Sequence, residues 1–573
     1  MRRDLSAHGA SRGSALGRAR VRLPHALEVS EDRIDDVEGE LARLHAAIDA
    51  VREEMRELRA RLHGALAHEV GEFMDLHALL LDDPELLQGL DGLIRQGRYS
   101  ADYALRLQRD RIAAVFAGMD DAYLRSRVED IDQVIGRVHA ALHRCEADLQ
   151  GVAGEILVTD NVAPAELAQL QARGVMAVVT SGGSALSHSA IMARSLHLPL
   201  IVGAAEALQK INDGDVLVVD GGSGLLVREP DAADLRAHRA RARDLARERK
   251  QLHRLRREPS RTRDGADIKL WANAESREDV AEAHALGAAG VGLYRTEFLF
   301  LQRDAVPDED EQFRAYRDLV LGMTGRTVTI RTLDLGADKA DRTGLALRGE
   351  QNPALGLRGI RLSLAREALF GTQLRAIVRA SGYGPLRVLL PMISCREEVL
   401  VVRKLLRRVA RDLRSEGHEI AEAIPLGAMI EVPAAAIALP GFIGAVDFVS
   451  IGTNDLVQYL LAADRNNDAL GDLYTPLHPA LLRLLSTVIR TARARGKSAA
   501  VCGEMAGDAA LAPLLLALGL EEFSLHPATL LEVRQAIRGS DLGMLRARAG
   551  ALLRARDRRR IEDWVHANAP APG

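Results

Sequence analysis

The chain has 573 residues, 47% of them hydrophobic and 27% charged, with a formal net charge of −4, which sets it among soluble, multi-domain globular proteins. With only 3% aromatic residues and no basic excess, the composition argues against a nucleic-acid binder, which needs a basic face and stacking rings. Three cysteines far apart, Cys145, Cys395 and Cys502, fit a reducing cytoplasm better than a disulfide framework, and the longest nearly apolar run, Leu511 to Leu520, is too short to span a membrane.

Residues 1 to about 30 are mixed, Arg- and Ser-rich, and lack an apolar core of signal-peptide length; they read as the start of a domain. From Ile34 the pattern becomes regular. Ile34, Val37, Leu41, Leu44, Ile48, Val51, Met55, Leu58 and Leu62 alternate steps of three and four, the seam of one long helix. A turn at Leu81 to Glu85 follows, with Pro84 opening a new helix, and helical sequence runs on to about Cys145. This predicts a helical bundle inserted after an initial strand. Its acidic cluster, Asp82, Asp83 and Glu85, reads as a solvated helix end or as a docking patch for a basic partner.

Around Glu155 the pattern changes. Glu155 to Val158, Val175 to Val179, Leu200 to Val202 and Val216 to Val219 read as strands with helical pieces between them, a compact α/β unit. Inside it, Ser181-Gly182-Gly183-Ser184-Ala185-Leu186-Ser187-His188 is a Gly-rich loop leading into a helix with Ser187 as its predicted N-cap. His188 then falls in the first helical turn, where the helix dipole favours a neutral, nucleophilic imidazole and attracts phosphate. The chain has 17 histidines, so this placement alone does not single His188 out. Residues 231–260 are heavily charged with sparse Leu and read as an exposed linker helix ended by Pro259.

From Ile268 onward, strand-like runs alternate with helical stretches: Ile268 to Ala272, Gly290 to Leu293, Val328 to Arg331, Arg387 to Leu390, Leu426 to Ile430, Asp447 to Ile451, Ser498 to Val501 and Glu522 to Leu525. Eight such strands over about 250 residues predict a (β/α)8 TIM-type barrel with its active site at the strands' carboxyl ends. The residues there carry chemistry. Arg295 follows the second strand, and Arg331 ends the third, with Asp334 and Lys339 in the next loop. Glu431 follows the fifth, Asn454 and Asp455 the sixth, and Cys502 the seventh. Glu431 and Asp455 suit a Mg²⁺ ion that keeps several waters. Arg295, Arg331, Arg358 and Arg465 with Lys339 suit a strongly anionic ligand, and Cys502 is a candidate acid or nucleophile. For Asn454-Asp455 the plainer alternative is a helix cap.

Three stretches, LSHSAIMARSLHLPLIVG at 186–203, GAAGVGLYRTEFLF at 287–300 and DFVSIGTNDLVQYLLAADR at 447–465, supported by VCGEMAGD at 501–508, resemble the Enzyme I family of bacterial phosphotransferase systems, the phosphoenolpyruvate-protein phosphotransferases. The resemblance covers essentially the whole chain. It implies that His188 is phosphorylated on Nε2; that Arg295, Arg331, Asn454 and Arg465, aided by Lys339 and Arg358, bind phosphoenolpyruvate; that Glu431 and Asp455 hold Mg²⁺; and that Cys502 protonates the departing enolate. It further implies a phosphohistidine α/β domain over 1–30 and 146–229, a helical domain over 31–145 that binds the phosphocarrier protein HPr, a linker helix over 230–260, and a phosphoenolpyruvate-binding barrel over 261–573. His77, Asp82, Asp83 and Glu85 become candidates for the carrier interface. A cytoplasmic homodimer joined through the barrel, with no nucleic acid and no membrane insertion, is also implied.

The sequence departs from the family's usual pattern in two places: Gly182-Gly183 lies one position further from His188, with Ala185 and Leu186 where Arg and Thr are common, and Ala337 interrupts the usual Gly-Gly-Asp-Lys. Within the family, the nitrogen-regulatory branch, which serves an NPr-type carrier, is a live alternative: it usually bears an N-terminal sensor domain, but a branch that has lost it would look like this sequence. Pyruvate phosphate dikinase and phosphoenolpyruvate synthase need a nucleotide-binding domain where this chain has a helical bundle without a phosphate loop. A non-enzymatic scaffold predicts loss of the charged barrel residues, and the key ones are present.

Overall fold

A computed structural model describes the chain except for residues 1–3, 6, 23–30, 32, 62–79, 118–127, 143–152, 163, 184–187, 197, 301–304, 337–349, 351, 465–469, 471–472 and 570–573. The chain forms two compact units, residues 1–248 and 249–573.

The first unit is built on eight strands: β1 (Asp4–Leu5), β2 (His8–Ser11), β3 (Ser14–Val21), β4 (Glu155–Thr159), β5 (Ala177–Thr180), β6 (Leu200–Val202), β7 (Val216–Asp220) and β8 (Leu225–Arg228). They form one sheet in the order β1-β8-β7-β3-β4-β5-β6-β2. Strands β3 to β6 run parallel, and the remaining pairs are antiparallel. The side-chain period of two sorts the core onto two faces. Leu157 and Val178 pack on one side, and Ile156, Val158, Ala177 and Val179 on the other.

The four strands expected after Glu155 are present as β4 to β7. The first 21 residues hold three strands where one was expected. The reason is composition: β3 is SALGRARV, whose buried residues are the small Ala15 and Ala19. Small residues leave no alternating apolar signal, so β3 is specified by pairing with β7 and β4 rather than by its own pattern. At Gly17 a Cβ would come within 3.0 Å of the Gly154 carbonyl oxygen, so close packing itself demands a small residue there.

Strands β3 and β4 are parallel neighbours, with Arg18 opposite Glu155. The chain between them makes the helices Val37–Arg61, Pro84–Gly97, Ala101–Ala117 and Val128–Leu142. Leu41, Leu44, Ile48, Val51 and Met55 are buried along the first helix, with Ile34 and Val37 partly buried against the same core; Leu58, by its side chain, and Leu62 lie outside the described residues. Pro84 opens the second helix, capped by the Asp83 carboxylate, which accepts from the Glu85 backbone N–H at 2.8 Å. Asp82 pairs with Arg52 at 2.7 Å. The helix Ala232–Arg254 lies where the linker helix was expected. Its first half is tied to the sheet, with Ser14 Oγ 2.8 Å from His238 Nδ1.

The second unit is a closed barrel of eight strands: β9 (Lys269–Ala274), β10 (Val291–Tyr294), β11 (Val328–Arg331), β12 (Leu386–Leu390), β13 (Leu426–Ile430), β14 (Phe448–Ile451), β15 (Ser498–Val501) and β16 (Glu522–Leu525). Every neighbouring pair is parallel, and β16 returns to β9. These strands are buried on both faces, so each reads as a nearly continuous apolar run; all eight runs identified in the sequence become barrel strands. Leu293, Leu389, Met429, Phe448 and Cys502 form a buried cluster of their own. Near the strands' N-terminal ends, Arg387 lies between the rings of Trp271 and Phe448, 4.5 and 4.4 Å from their centroids. No helix among the described residues is long and apolar enough to cross a membrane.

Candidate active site

At the carboxyl rim of the barrel the strands end in charged side chains that answer one another. Arg331, the last residue of β11, reaches Glu297 Oε1 at 2.5 Å and Asp334 Oδ2 at 3.0 Å. Arg358 reaches Asp334 at 3.1 Å, Asp455 at 3.4 Å and the Tyr459 hydroxyl at 3.2 Å. Arg295, directly after β10, pairs with Glu275, the residue after β9. Paired guanidinium and carboxylate groups in this partly buried setting hold each other in fixed directions.

Glu431, one residue past β13, is buried and accepts from the Met392 backbone N–H at 2.6 Å through Oε1. A Cβ on residue 452 would lie 2.8 Å from Glu431 Oε2, so Gly452 keeps the space beside that oxygen clear. Burial, with the neighbouring Asp334 and Asp455 carboxylates, pushes the Glu431 carboxyl up to about 8.

Asp334, Glu431 and Asp455 each bring an oxygen within 4.8 Å of the others. Three carboxylates so close repel, and a hard divalent cation with oxygen ligands relieves that cost. The donor set is all oxygen, Glu431 Oε2 has open space beside it, and Arg331 Nε is buried without a hydrogen-bond partner among the described residues. Those features fit a Mg²⁺ ion next to an anionic ligand.

Asn454 and Asp455 lie inside the first turn of the helix Thr453–Leu461. The N-cap residue is Gly452, without a side-chain cap bond, which rules out the plain helix-cap alternative. Asn454 instead exchanges hydrogen bonds with Glu504: its Nδ2 donates to the carboxylate at 2.9 Å, and its Oδ1 accepts from the Glu504 N–H at 3.0 Å. A Cβ at Gly503 would fall 2.8 Å from Asn454 Oδ1, so this pair requires glycine there. Cys502 is buried in the barrel interior, with Sγ 3.5 Å from the Ile451 carbonyl. Burial pushes its thiol up to about 11, so it is protonated at neutral pH: an acid rather than a thiolate nucleophile.

The structure thus brings Arg331, Arg358, Glu431 and Asp455 together, and sets Arg295, Asn454 and Cys502 at the carboxyl ends of β10, β14 and β15. Lys339 and Arg465 lie outside the described residues, as do His77 and the predicted cap Ser187. His188 opens the helix His188–Ser195 in the first unit. The sequence names Asp334 only as a residue of the loop after the third strand, and Glu275, Glu297 and Tyr459 as partners of the arginines and Glu504 as the partner of Asn454 had no role in that reading. A usable signal existed, because Glu275, Glu297, Asp334 and Glu504 each lie within three residues of a strand end.

Comparison with known proteins matches three family models. "PEP-utilising enzyme, PEP-binding domain" covers residues 249–542, "PEP-utilising enzyme, N-terminal" residues 6–127, and "PEP-utilising enzyme, mobile domain" residues 151–224. Among similar proteins, one from Cupriavidus necator is 45% identical over 92% of both chains. One from Staphylococcus aureus (strain Mu50) is 39% identical over 92% of this chain and 93% of its own. One from Listeria innocua is 38% identical over 94% of this chain and 95% of its own. All three carry the name phosphoenolpyruvate-protein phosphotransferase.

Proposed function

The chain belongs to the family of phosphoenolpyruvate-protein phosphotransferases, and from that premise we propose that it moves the phosphoryl group of phosphoenolpyruvate first to Nε2 of its own His188 and then to a histidine of a small phosphocarrier protein of the HPr type. The observation that carries this reading is the barrel rim, where Arg331 and Arg358 pair with a carboxylate cluster and Arg295 stands at the end of a neighbouring strand. Guanidinium groups fix phosphate and carboxylate in one orientation, which is what a ligand bearing both needs.

Glu431 and Asp455, with Asp334 beside them, would hold Mg²⁺, which would supply positive charge to offset that of the phosphoryl group. Arg331 and Arg358, joined by Arg295, Asn454, Lys339 and Arg465, orient the substrate. His188 attacks phosphorus as the bond to the enolate oxygen breaks. The enolate carbon takes its proton from Cys502 Sγ, giving pyruvate, and the thiolate is reprotonated from water. Residues 230–260 link the phosphohistidine domain to the barrel. Residues 31–145 dock the carrier, with His77, Asp82, Asp83 and Glu85 at the contact. The protein works as a cytoplasmic homodimer joined through the barrel and opens a sugar-uptake phosphotransferase system.

Incubation with ³²P-labelled phosphoenolpyruvate tests this reading. Acid-labile label is expected on the wild type with Mg²⁺ and on neither His188→Ala nor metal-free protein. An unlabelled, folded wild type overturns the proposal. Adding HPr-type and NPr-type carriers to the labelled protein then separates sugar uptake from nitrogen regulation.

A further inference from the structure

Beneath the rim, between β10, β11 and two outer helices of the barrel, lies a chain of buried polar side chains that no role above uses. Gln373, on the helix Glu367–Ala380, accepts from the Leu333 backbone N–H at 2.9 Å through Oε1. Its Nε2 donates to Thr296 Oγ1 at 3.3 Å and to the Tyr316 hydroxyl at 3.2 Å. Thr296 Oγ1 in turn donates to the backbone carbonyl of Arg331 at 3.0 Å. On the far side, Tyr316 donates to Gln312 Oε1 at 3.2 Å, and Gln312 Nε2 donates to the Pro307 carbonyl at 2.9 Å. Thr296, Gln312 and Tyr316 are 0% exposed and Gln373 is 1% exposed.

A glutamine, a threonine, a tyrosine and a second glutamine buried together are costly to desolvate unless each finds partners. Here the amide, hydroxyl and phenol groups run donor to acceptor without a break. The chain converges on two backbone groups where β11 passes into its loop, the carbonyl of Arg331 and the N–H of Leu333. Arg331 ends the strand and Asp334 lies in the loop. From above, Glu297 Oε1 accepts from both the Arg331 side chain and the Asp334 backbone N–H, the latter at 3.1 Å. The loop is therefore held from both sides, and Thr296 and Glu297 are consecutive residues of the turn that begins after Arg295. A single amide group on an outer helix thus ties together the turns that carry Arg295 and Arg331.

We infer that Gln373 is a positioning residue for the phosphoenolpyruvate site, acting through Thr296 and the Leu333 N–H to set the direction of Arg331. The inference rests on the function proposed above. Gln373→Leu keeps the apolar volume of the site, removes every bond of the amide, and strands the Leu333 N–H. Thr296→Val is nearly isosteric and removes the hydroxyl's two bonds, to the Arg331 carbonyl and from Gln373 Nε2, while leaving Gln373 bonded to the Leu333 N–H and the Tyr316 hydroxyl.

Steady-state kinetics of pyruvate formation from phosphoenolpyruvate with Mg²⁺, and with a carrier protein that accepts the label present in excess as phosphoryl acceptor, tests it, with the folded fraction of each variant measured by circular dichroism. A displaced Arg331 weakens ground-state binding, so KM is expected to rise about tenfold in Gln373→Leu and about threefold in Thr296→Val, with kcat per folded molecule changed far less. Loss of structure alone would lower kcat in proportion to the unfolded fraction and leave KM untouched. An unchanged KM in Thr296→Val, or in a folded Gln373→Leu, overturns the inference while the wild type remains active. A wild type that takes up no label overturns the proposed function instead.

Discussion

At the barrel rim the arginines of β10 and β11 meet carboxylates from neighbouring strand ends, and Glu297 and Gln373 brace the Arg331 loop from two sides. The helix that begins at His188 is secured differently. Its ties include single bonds to the surrounding backbone: Ser189 Oγ donates to the Val162 carbonyl at 2.6 Å, and Arg194 to the Ala10 carbonyl at 3.0 Å. Under the proposed function the two regions divide the work. A site that stabilises developing charge needs fixed dipoles, which must be aimed before the reaction starts. The role proposed for His188, to accept a phosphoryl from one partner and hand it to another, needs a nucleophile at a helix end.

That contrast is broken or sharpened by substitution. The largest effect is expected at the helix that begins at His188: His188→Ala abolishes acid-labile labelling, because it removes the proposed nucleophile. Residual label on that variant would show that the braced rim holds an acceptor of its own. Next comes Asp455→Asn, expected to slow labelling about 10³-fold by loss of charge at the carboxylate cluster and to weaken Mg²⁺ binding in a calorimetric titration. Cys502→Ala is expected to slow pyruvate formation about 10²-fold, read with a coupled pyruvate assay.

The pH profile of that step gives a second reading of Cys502. Burial raises the thiol to about 11, above its ordinary range. The proton donor is therefore present through neutral and mildly alkaline pH and is lost as pH rises through that value. A proton-donating step that failed near pH 8 would contradict the assignment. The smallest effect belongs to the helical bundle. Asp83→Ala removes the cap of the helix Pro84–Gly97 and should cost about 1 kcal/mol in chemical denaturation, with labelling by phosphoenolpyruvate unchanged. If it slowed labelling as well, the bundle and the rim would not be separable in the way drawn here.

Much of the architecture is legible in the residues. The eight barrel runs become eight barrel strands because a parallel strand buried on both faces needs an unbroken apolar stretch, and helices must separate one from the next. The long helix seam and the start at Pro84 were legible for the same kind of reason: period and punctuation are local properties. So was the list of charged residues at the strand ends, since a strand's carboxyl end is defined by the strand itself.

What only the tertiary structure decided is which of those groups meet. Arg358 and Asp455 are 97 residues apart, and Thr296 and Gln373 are 77 apart, so no local pattern links either pair. Asp334 reads as one loop acid among many until two guanidinium groups converge on it. Gln373 lies on an otherwise apolar helix face, and only the folded barrel shows its amide meeting a loop on the other side of the packing layer. The strands of residues 4–21 were decided in the same way. Their small residues carry no pattern, and their conformation comes from hydrogen bonds to strands whose partners lie far along the chain. Local periodicity is encoded residue by residue, whereas the choice of long-range partner is made only when the chain closes on itself.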